Sequence, residues 1–255
     1  MMTVVEFTGL TGAGKTTLLA AGMEALTDQG FVARDAYDVI LARYGIQVVS
    51  HATLRSLLID LVAFLPFVRY TLTRRGLELL ALAGRAISRN AGGVIVTLNL
   101  WRNFAKRVGV HVLLTRGERR PPDLDFAICD EGILHMAHNL FVHAGSPPDP
   151  AEITHFGNIV PKPDIIIWVK GTADQSIQCI LQRGHRRVVA SEEAASAFAR
   201  NGMLTFGLLF SQAPIRERLF TIDNSAHDGP SSIQDRASAI AAFLRQHRTA
   251  GEVHA

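Results

Sequence analysis

The chain has 255 residues, of which 48% are hydrophobic and 19% charged, and its formal net charge is +3. This composition is that of a globular protein with a large core, and so small a charge demands no nucleic-acid partner. Cys129 and Cys179 each lie in an apolar stretch, which indicates buried thiols rather than a disulfide. No signal-peptide pattern is present, and the most apolar window, 54–68, contains charges and Pro66. We therefore expect a cytoplasmic protein without a transmembrane segment.

Strand and helix patterns alternate from the N-terminus onward. Residues 4–8 are a short β-rich run, residues 15–29 carry an apolar stripe typical of a helix, and residues 31–34 predict a second strand. A long helical region follows, in which the apolar residues of 54–65 recur every 3.6 residues. Pro66 is expected to kink or end that helix, because proline lacks the backbone N–H that the helix needs.

The middle of the chain is less regular than its C-terminal half. Residues 77–87 predict a helix, and 94–114 suits a helix as a whole, although its first four residues alone would suit a strand. The later elements are a strand at 126–130, a strand at 164–169, helices at 173–182 and onward to about 210, a strand at 219–223, and a helix at 232–247.

This alternation predicts an α/β fold with a doubly wound parallel sheet and helices on both of its faces. Parallel strands need crossover connections, and in such folds the crossovers are usually helices. No strong boundary divides the sequence, so we expect one domain over residues 1–255. Residues 40–117 are best interpreted as a helical insert that caps the sheet between the second and third strands.

The segment Gly9–Thr16, with the sequence GLTGAGKT, matches the phosphate-binding pattern G-x-x-x-x-G-K-[ST]. Glycines allow backbone N–H groups to surround one phosphate chain, and the N-terminus of the following helix adds its positive dipole end. Lys15 is expected to contact the β- and γ-phosphates, and the Thr16 hydroxyl to bind Mg²⁺. The residues expected to bind the nucleotide in this segment are Gly9, Gly12, Ala13, Gly14, Lys15, Thr16 and Thr17.

Asp130 and Glu131 follow the apolar strand 126–130 and are the second candidate site. A carboxylate at the C-terminal end of a buried strand resembles a Walker B acid, since ligands of doubly wound sheets bind at that edge. Asp130 is expected to hold Mg²⁺ together with Thr16, and Glu131 to orient or deprotonate the attacking group. In the alternative interpretation, both acids only cap the next helix.

Three further sites are predicted less directly. Asp35 ends the second strand and could bind or deprotonate an acceptor hydroxyl, or could be an ordinary turn aspartate. Arg183, Arg186 and Arg187 form a basic cluster suited to phosphoryl groups, or else a solvated helix end. Asn224 follows the last strand, where a loop that binds the nucleotide base would lie.

In the order and spacing of these motifs, the chain resembles the nucleoside- and nucleotide-monophosphate-kinase branch of P-loop proteins, thymidylate-kinase-like members in particular. The resemblance implies a five-stranded parallel core in the order 2-3-1-4-5, an arginine lid at about 183–200, and the use of ATP with Mg²⁺. It implies that Arg183 and Arg187 act in catalysis and that Arg183 and Arg186 bind ATP. The segments that carry it are Glu6–Thr17, Cys129–Gly132, Asp164–Val169, Arg183–Arg187 and Ile222–Ser225.

These observations lead to three hypotheses, of which the first, a kinase, is the leading one. In the first, the chain transfers the γ-phosphate of ATP to a hydroxyl or phosphate of a nucleoside, nucleotide, sugar or similar metabolite, and it could form a homodimer. In the second, it is a P-loop NTPase that acts as a switch or assembly factor, although no Asn-Lys-x-Asp motif for guanine is present. In the third, it binds a nucleotide without catalysis, which the intact Lys15-Thr16 pair disfavours.

Overall fold

The central feature of the fold is a parallel sheet of five strands in the order β2-β3-β1-β4-β5, as predicted. The computed structural model describes residues 2–46, 51–89, 93–116, 123–185, 187–189, 191–225 and 230–253. The strands are β1 (Thr3–Gly9), β2 (Ala33–Asp35), β3 (Phe126–Asp130), β4 (Ile165–Lys170) and β5 (Leu219–Asp223).

Helices cover both faces of this sheet. The helix that follows β1 and the helix that precedes β3 border the candidate site. The helices of the N-terminal half are α1 (Lys15–Asp28), α2 (Ala36–Arg43), α3 (Ala52–Thr71), α4 (Arg74–Arg89) and α5 (Val94–Arg116). The later helices are α6 (Met136–Phe141), α7 (Pro150–Ile159), α8 (Ala173–Arg183), α9 (Glu192–Phe210), α10 (Ala213–Arg216) and α11 (Pro230–Val253).

Strand β1 lies at the centre of the sheet, and its side chains point alternately to the two helical layers. Phe7 faces α1, whose Gly22 lies beside it and beside Ile240 of α11. Val4 faces the opposite layer, where it joins a cluster that includes residues of α2, α3 and α5. Both faces of the strand are therefore buried, which explains why most of its side chains are apolar.

Helices α2 to α5 form the insert between β2 and β3 that the sequence predicts. Pro66 does not end α3, which continues to Thr71. Residues 94–116 form one helix without a strand at its start. Helices α3 and α5 approach closely at Gly109, where an added Cβ would lie 2.0 Å from the carbonyl oxygen of Ala63.

Helix α7 was not predicted from the sequence, although its start carries clear signals. Asp149 caps the helix by accepting a hydrogen bond from the N–H of Ala151, and Pro150 occupies its first turn. Its buried residues, Ile153, Phe156 and Ile159, follow at helical spacing. The segment between β3 and β4, for which the sequence analysis gives no element, therefore contains a helix before the second of these strands.

In the part of the chain that the structure describes, no single helix combines the length and apolar character needed to cross a membrane. Helices α3 and α4 pass that test only together, by length and composition, and they are bent by 109° at their junction.

We predict that Gly109→Ala destabilises the fold. The added methyl group would collide with the backbone of α3, and overpacking of this kind costs about 1–3 kcal/mol. The matched control is Gly207→Ala in α9, where an added Cβ meets no heavy atom within 4 Å. That substitution should gain roughly 0.5–1 kcal/mol from helix propensity. Urea unfolding measures both, and an unchanged midpoint for Gly109→Ala would contradict the packing described for α3 and α5.

Candidate active site

The segment Gly9–Thr16 forms a loop that wraps between the end of β1 and the first turn of α1. Gly12 and Gly14 have φ angles of 81° and 79°, a left-handed conformation that favours glycine. At Gly9 an added Cβ would lie 2.3 Å from the carbonyl oxygen of Val169, so any side chain would collide with β4. The loop therefore has the tight backbone path and helix N-terminus that suit a phosphate-binding cradle.

Asn224, which follows β5, forms a hydrogen bond that fixes the backbone of this loop. The Asn224 side chain donates a hydrogen bond from Nδ2 to the carbonyl oxygen of Ala13 at 2.8 Å and accepts one from Arg236 at 2.9 Å. Gln175 of α8 donates to the Asn224 carbonyl oxygen at 3.2 Å. Asn224 thus fixes the loop backbone, and its contact with a nucleotide base stays a prediction.

Lys15 lies across the loop, with only 7% of its surface exposed. Its ammonium group donates to the carbonyl oxygens of Gly9 at 3.2 Å and Leu10 at 2.9 Å. The same group forms an ion pair with Glu131 Oε1 at 3.2 Å. Lys15 therefore connects the loop to the acidic pair at the end of the neighbouring strand β3.

Glu131 has a φ angle of 56°, which is the one positive φ of a non-glycine residue in the described ranges. Besides Lys15, its carboxylate contacts Arg107 Nη2 at 3.4 Å and lies 3.6 Å from His135 Nε2. Burial alone would raise the pKa of Glu131, but the positive charges of Lys15 and Arg107 outweigh it and lower that pKa. Glu131 is therefore an anion held by two cations.

Asp130 is the last residue of β3 and lies opposite Phe7 of β1. Burial, reinforced by the negative charge of Glu131, raises the pKa of Asp130. Among the described residues it forms no ion pair within 4.0 Å, and Thr16 is exposed at the start of α1. The oxygens of these two side chains suit a hard divalent cation such as Mg²⁺.

A cavity of about 70 Å³ opens beside Asp130 and Glu131. Its polar lining comes from β1, the end of β2, the start of α2, α5 and the end of β3. The ionisable side chains that line it and enter the argument are Glu6, Asp35, Tyr37, Arg107, Asp130 and Glu131.

Arg107 is the functional candidate that the sequence analysis missed. Its side chain is 13% exposed, and its Nη1 atom is buried without a hydrogen-bond partner among the described residues. A buried guanidinium is costly unless its donors are satisfied, so an unpaired donor beside a cavity is a candidate ligand contact. No local sequence signal distinguishes Arg107 from the other basic residues of this helix.

Asp35 caps the helix that follows it, and its role toward an acceptor hydroxyl stays a prediction. Its Oδ1 atom caps α2 by accepting from the N–H groups of Tyr37 at 2.9 Å and Asp38 at 3.3 Å. Arg55 of α3 contacts the same oxygen at 3.2 Å. Asp35 also lines the cavity, and burial raises its pKa. The second oxygen, Oδ2, is engaged in none of these contacts.

The arginines of the predicted lid lie in different surroundings. Arg183 is exposed at the end of α8, and Arg186 lies outside the described residues. Arg187 donates to the carbonyl oxygen of Asn139 at 2.8 Å and lies 5.2 Å from the ring centroid of Phe198. Burial, with a contribution from Arg107, lowers the pKa of Arg187 to about 10. Arg187 is thus bound to α6 and α9, and lid closure stays a prediction.

Glu6 is a second residue that the sequence analysis did not assign to the site. It is buried in β1, and its carboxylate accepts from the N–H groups of Leu134 at 3.0 Å and His135 at 2.8 Å. An added Cβ at Gly132 would lie 2.7 Å from Glu6 Oε2. Glu6 therefore fixes the turn that follows Glu131, and an acid inside the apolar run of β1 was the signal for it.

The parallel sheet in the order β2-β3-β1-β4-β5, with the glycine loop between β1 and α1, is the core that the resemblance to P-loop kinases implies. No protein-family model matches the chain, and no curated protein matches it. One solved structure, shikimate kinase from Acinetobacter baumannii in complex with shikimate, aligns over 97% of this chain and 95% of its own. The TM-score is 0.41 and the identity 12%, a similarity too low to support any statement about function.

We predict that Glu6→Gln changes how stability depends on pH. Burial raises the pKa of Glu6 from 4.5 to about 7, the hydrogen bonds notwithstanding. The folded protein then keeps a proton that the unfolded chain has already released, so this group lowers stability as pH rises from about 4.5 to about 7. Removing the carboxyl group removes that loss, which amounts to up to about 3 kcal/mol.

Urea unfolding of both proteins at several pH values between about 5 and 8 measures this effect. The free energy of unfolding of Glu6→Gln, minus that of the unsubstituted chain, should increase with pH. Buried histidines contribute equally to both proteins and cancel in the difference. Parallel pH curves would show that Glu6 is not the titrating group.

Proposed function

We propose that this chain is an ATP-dependent kinase that phosphorylates a small molecule. The observation that supports it is the placement of three groups at one edge of the sheet. The loop Gly9–Thr16 and the acidic pair Asp130-Glu131 lie together at the ends of β1 and β3, and the same acidic pair lines the cavity. A phosphate donor on the loop would then face an acceptor in the cavity.

The donor side of the proposal rests on the loop and Lys15. Backbone N–H groups from Gly12 to Thr17 would bind the phosphates of ATP, and the N-terminus of α1 would favour their negative charge. Lys15, already positioned by two loop carbonyls, would stabilise charge on the transferring phosphoryl group. Mg²⁺, held by Thr16 and Asp130, would neutralise charge on the β- and γ-phosphates.

The acceptor side of the proposal rests on the cavity. Asp35 would orient the acceptor hydroxyl and take its proton through Oδ2, because burial makes this carboxylate more basic. Glu131 is a weaker base, since Lys15 and Arg107 hold it as an anion, so it would position Lys15. Arg107 would donate from Nη1 to an oxygen of the acceptor.

The arginines after α8 would complete the site. Arg183 is exposed and could reach a bound nucleotide, and we propose the same for Arg186. The charge of Arg187 lowers the pKa values of His138 and His185, and the charge of Glu131 acts to raise the pKa of Arg187. Arg187 therefore interacts electrostatically with the site. It would stabilise the developing charge from its position beside α6. We further propose that residues 1–255 act as one domain of the thymidylate-kinase-like branch.

Transfer of labelled γ-phosphate from ATP to a broad panel of hydroxyl compounds, nucleosides, nucleotides and sugars tests this function. We expect acceptor-dependent turnover that requires Mg²⁺. Lys15→Ala should lower kcat by about 10²-fold or more, because it removes a donor that acts on the transferring group. Release of phosphate to water alone across the whole panel, stimulated by a partner protein, would instead indicate the NTPase alternative.

A second kinetic prediction concerns Arg107. Arg107→Gln should raise the KM for the acceptor by roughly tenfold or more while leaving the KM for ATP nearly unchanged, since a charge-assisted hydrogen bond is lost only on the acceptor side. Arg107→Lys keeps the charge and should recover part of the loss. The matched control is Arg102→Gln on the same helix, whose guanidinium contacts Asp60 and Ser56 outside the cavity. Equal effects of Arg107→Gln and Arg102→Gln would contradict the assignment.

A further inference from the structure

Helix α3 exposes a continuous apolar surface, which we call the apolar stripe. Its large side chains recur every three or four residues, a spacing that places them on one face of a helix. Leu61 is 72% exposed, and Leu72, just past the helix end, is 76% exposed. Over 18 residues the stripe is about 27 Å long. It consists of Leu54, Leu57, Leu61, Phe64, Leu65 and Leu72.

The fold does not need this surface for its own core. The opposite face of α3, with Ile59, Ala63 and Tyr70, is buried and packs against α5 and the sheet. Contiguous exposed apolar surface of this extent is rare on monomeric soluble proteins and marks an interaction site. The stripe is therefore a docking surface that the phosphoryl-transfer site does not explain.

The charges beside the stripe are mainly basic. Arg69, Arg74 and Arg75 are exposed where α3 meets α4, next to Leu72, and Arg74 pairs with Glu78 at 3.3 Å. The only carboxylate on α3, Asp60, is bound by Arg102 and by Lys106 at 2.8 Å, on the side toward α5. An apolar helix face with basic residues at its margin is complementary to the surface of a bilayer that contains anionic lipids.

We propose that the apolar stripe docks on an anionic lipid surface, with α3 lying in the interface and Arg69 and Arg75 contacting lipid phosphates. A second copy of this chain fits less well. A two-fold symmetric contact pairs a surface with itself, so the arginines would need carboxylates from the same face. The nearby acids, Asp60 and Glu78, are already paired with bases of their own chain.

Flotation of the full chain with vesicles tests this proposal. Vesicles of phosphatidylcholine alone and of phosphatidylcholine mixed equally with phosphatidylglycerol would be compared at increasing salt concentration. We expect binding to the mixed vesicles that weakens with salt, and little binding to phosphatidylcholine alone. Leu61→Ser combined with Phe64→Ser should lower partitioning at least tenfold, because both side chains would enter the apolar boundary.

Two further variants separate the apolar and the electrostatic contributions. Arg69→Ser with Arg75→Ser should lower binding to mixed vesicles by about fivefold per arginine and flatten the salt dependence. The control is Leu204→Ser on α9, 45% exposed and outside the stripe, which should bind like the unsubstituted chain. All four substituted positions on α3 and α4 are exposed, so we expect each variant to fold, and circular dichroism checks this.

Failure of the unsubstituted chain to float with either vesicle would overturn the proposal. So would equal partitioning of the stripe variants and the Leu204 control. Analytical ultracentrifugation completes the test. A dimer that is lost in the Leu61 and Phe64 variant, without vesicle binding, would assign the stripe to self-association instead. The outcome is independent of the proposed kinase activity, which is measured separately on soluble acceptors.

Discussion

The site depends above all on the parallel pairing of β1 with β3. That pairing sets Phe7 opposite Asp130, so the glycine loop after β1 and the acidic pair after β3 leave the sheet side by side. The ion pair between Lys15 and Glu131, at 3.2 Å, is the direct contact across this edge. A shift of one residue in the register would turn every side chain of one strand to the other face and separate these groups.

Burial of several charges at one place requires that each is balanced. Lys15 is satisfied by two loop carbonyls and Glu131, and Glu131 is shared with Arg107. Among the described residues no cation contacts Glu6 directly; two backbone N–H groups donate to its carboxyl group, and burial raises its pKa to about 7, which favours the neutral acid. Removing one member would leave a partner unpaired in a low-dielectric setting, which costs more than an exposed ion pair contributes. The network therefore fixes the site geometry more than it adds stability.

Local patterns predicted the parallel sheet and the glycine loop, because strands covered on both faces are rich in apolar residues and glycine loops have a recognisable spacing. The strand order came from the resemblance to P-loop kinases. Local patterns failed where a contact distant in sequence decides the outcome. Pro66 lies inside α3, since the tertiary packing of that helix outweighs one lost hydrogen bond. Arg107 lines the cavity only because α5 crosses beside β3, and nothing near residue 107 in the sequence indicates this. Arg187 contacts Asn139 and Phe198, which the sequence did not indicate, and its role in a lid stays a prediction.

The sequence by itself determined the phosphate-binding loop, the parallel α/β sheet and the acids at the end of β3. Each of these follows from residue types at short spacing, which a local pattern records. Only the tertiary structure decided which charges share one site. Asp35, Arg107 and Glu131 lie far apart in the chain and line one cavity because β2, α5 and β3 converge on it. It also decided that the apolar face of α3 is exposed, since a helical period shows that a face is apolar but not whether another element covers it.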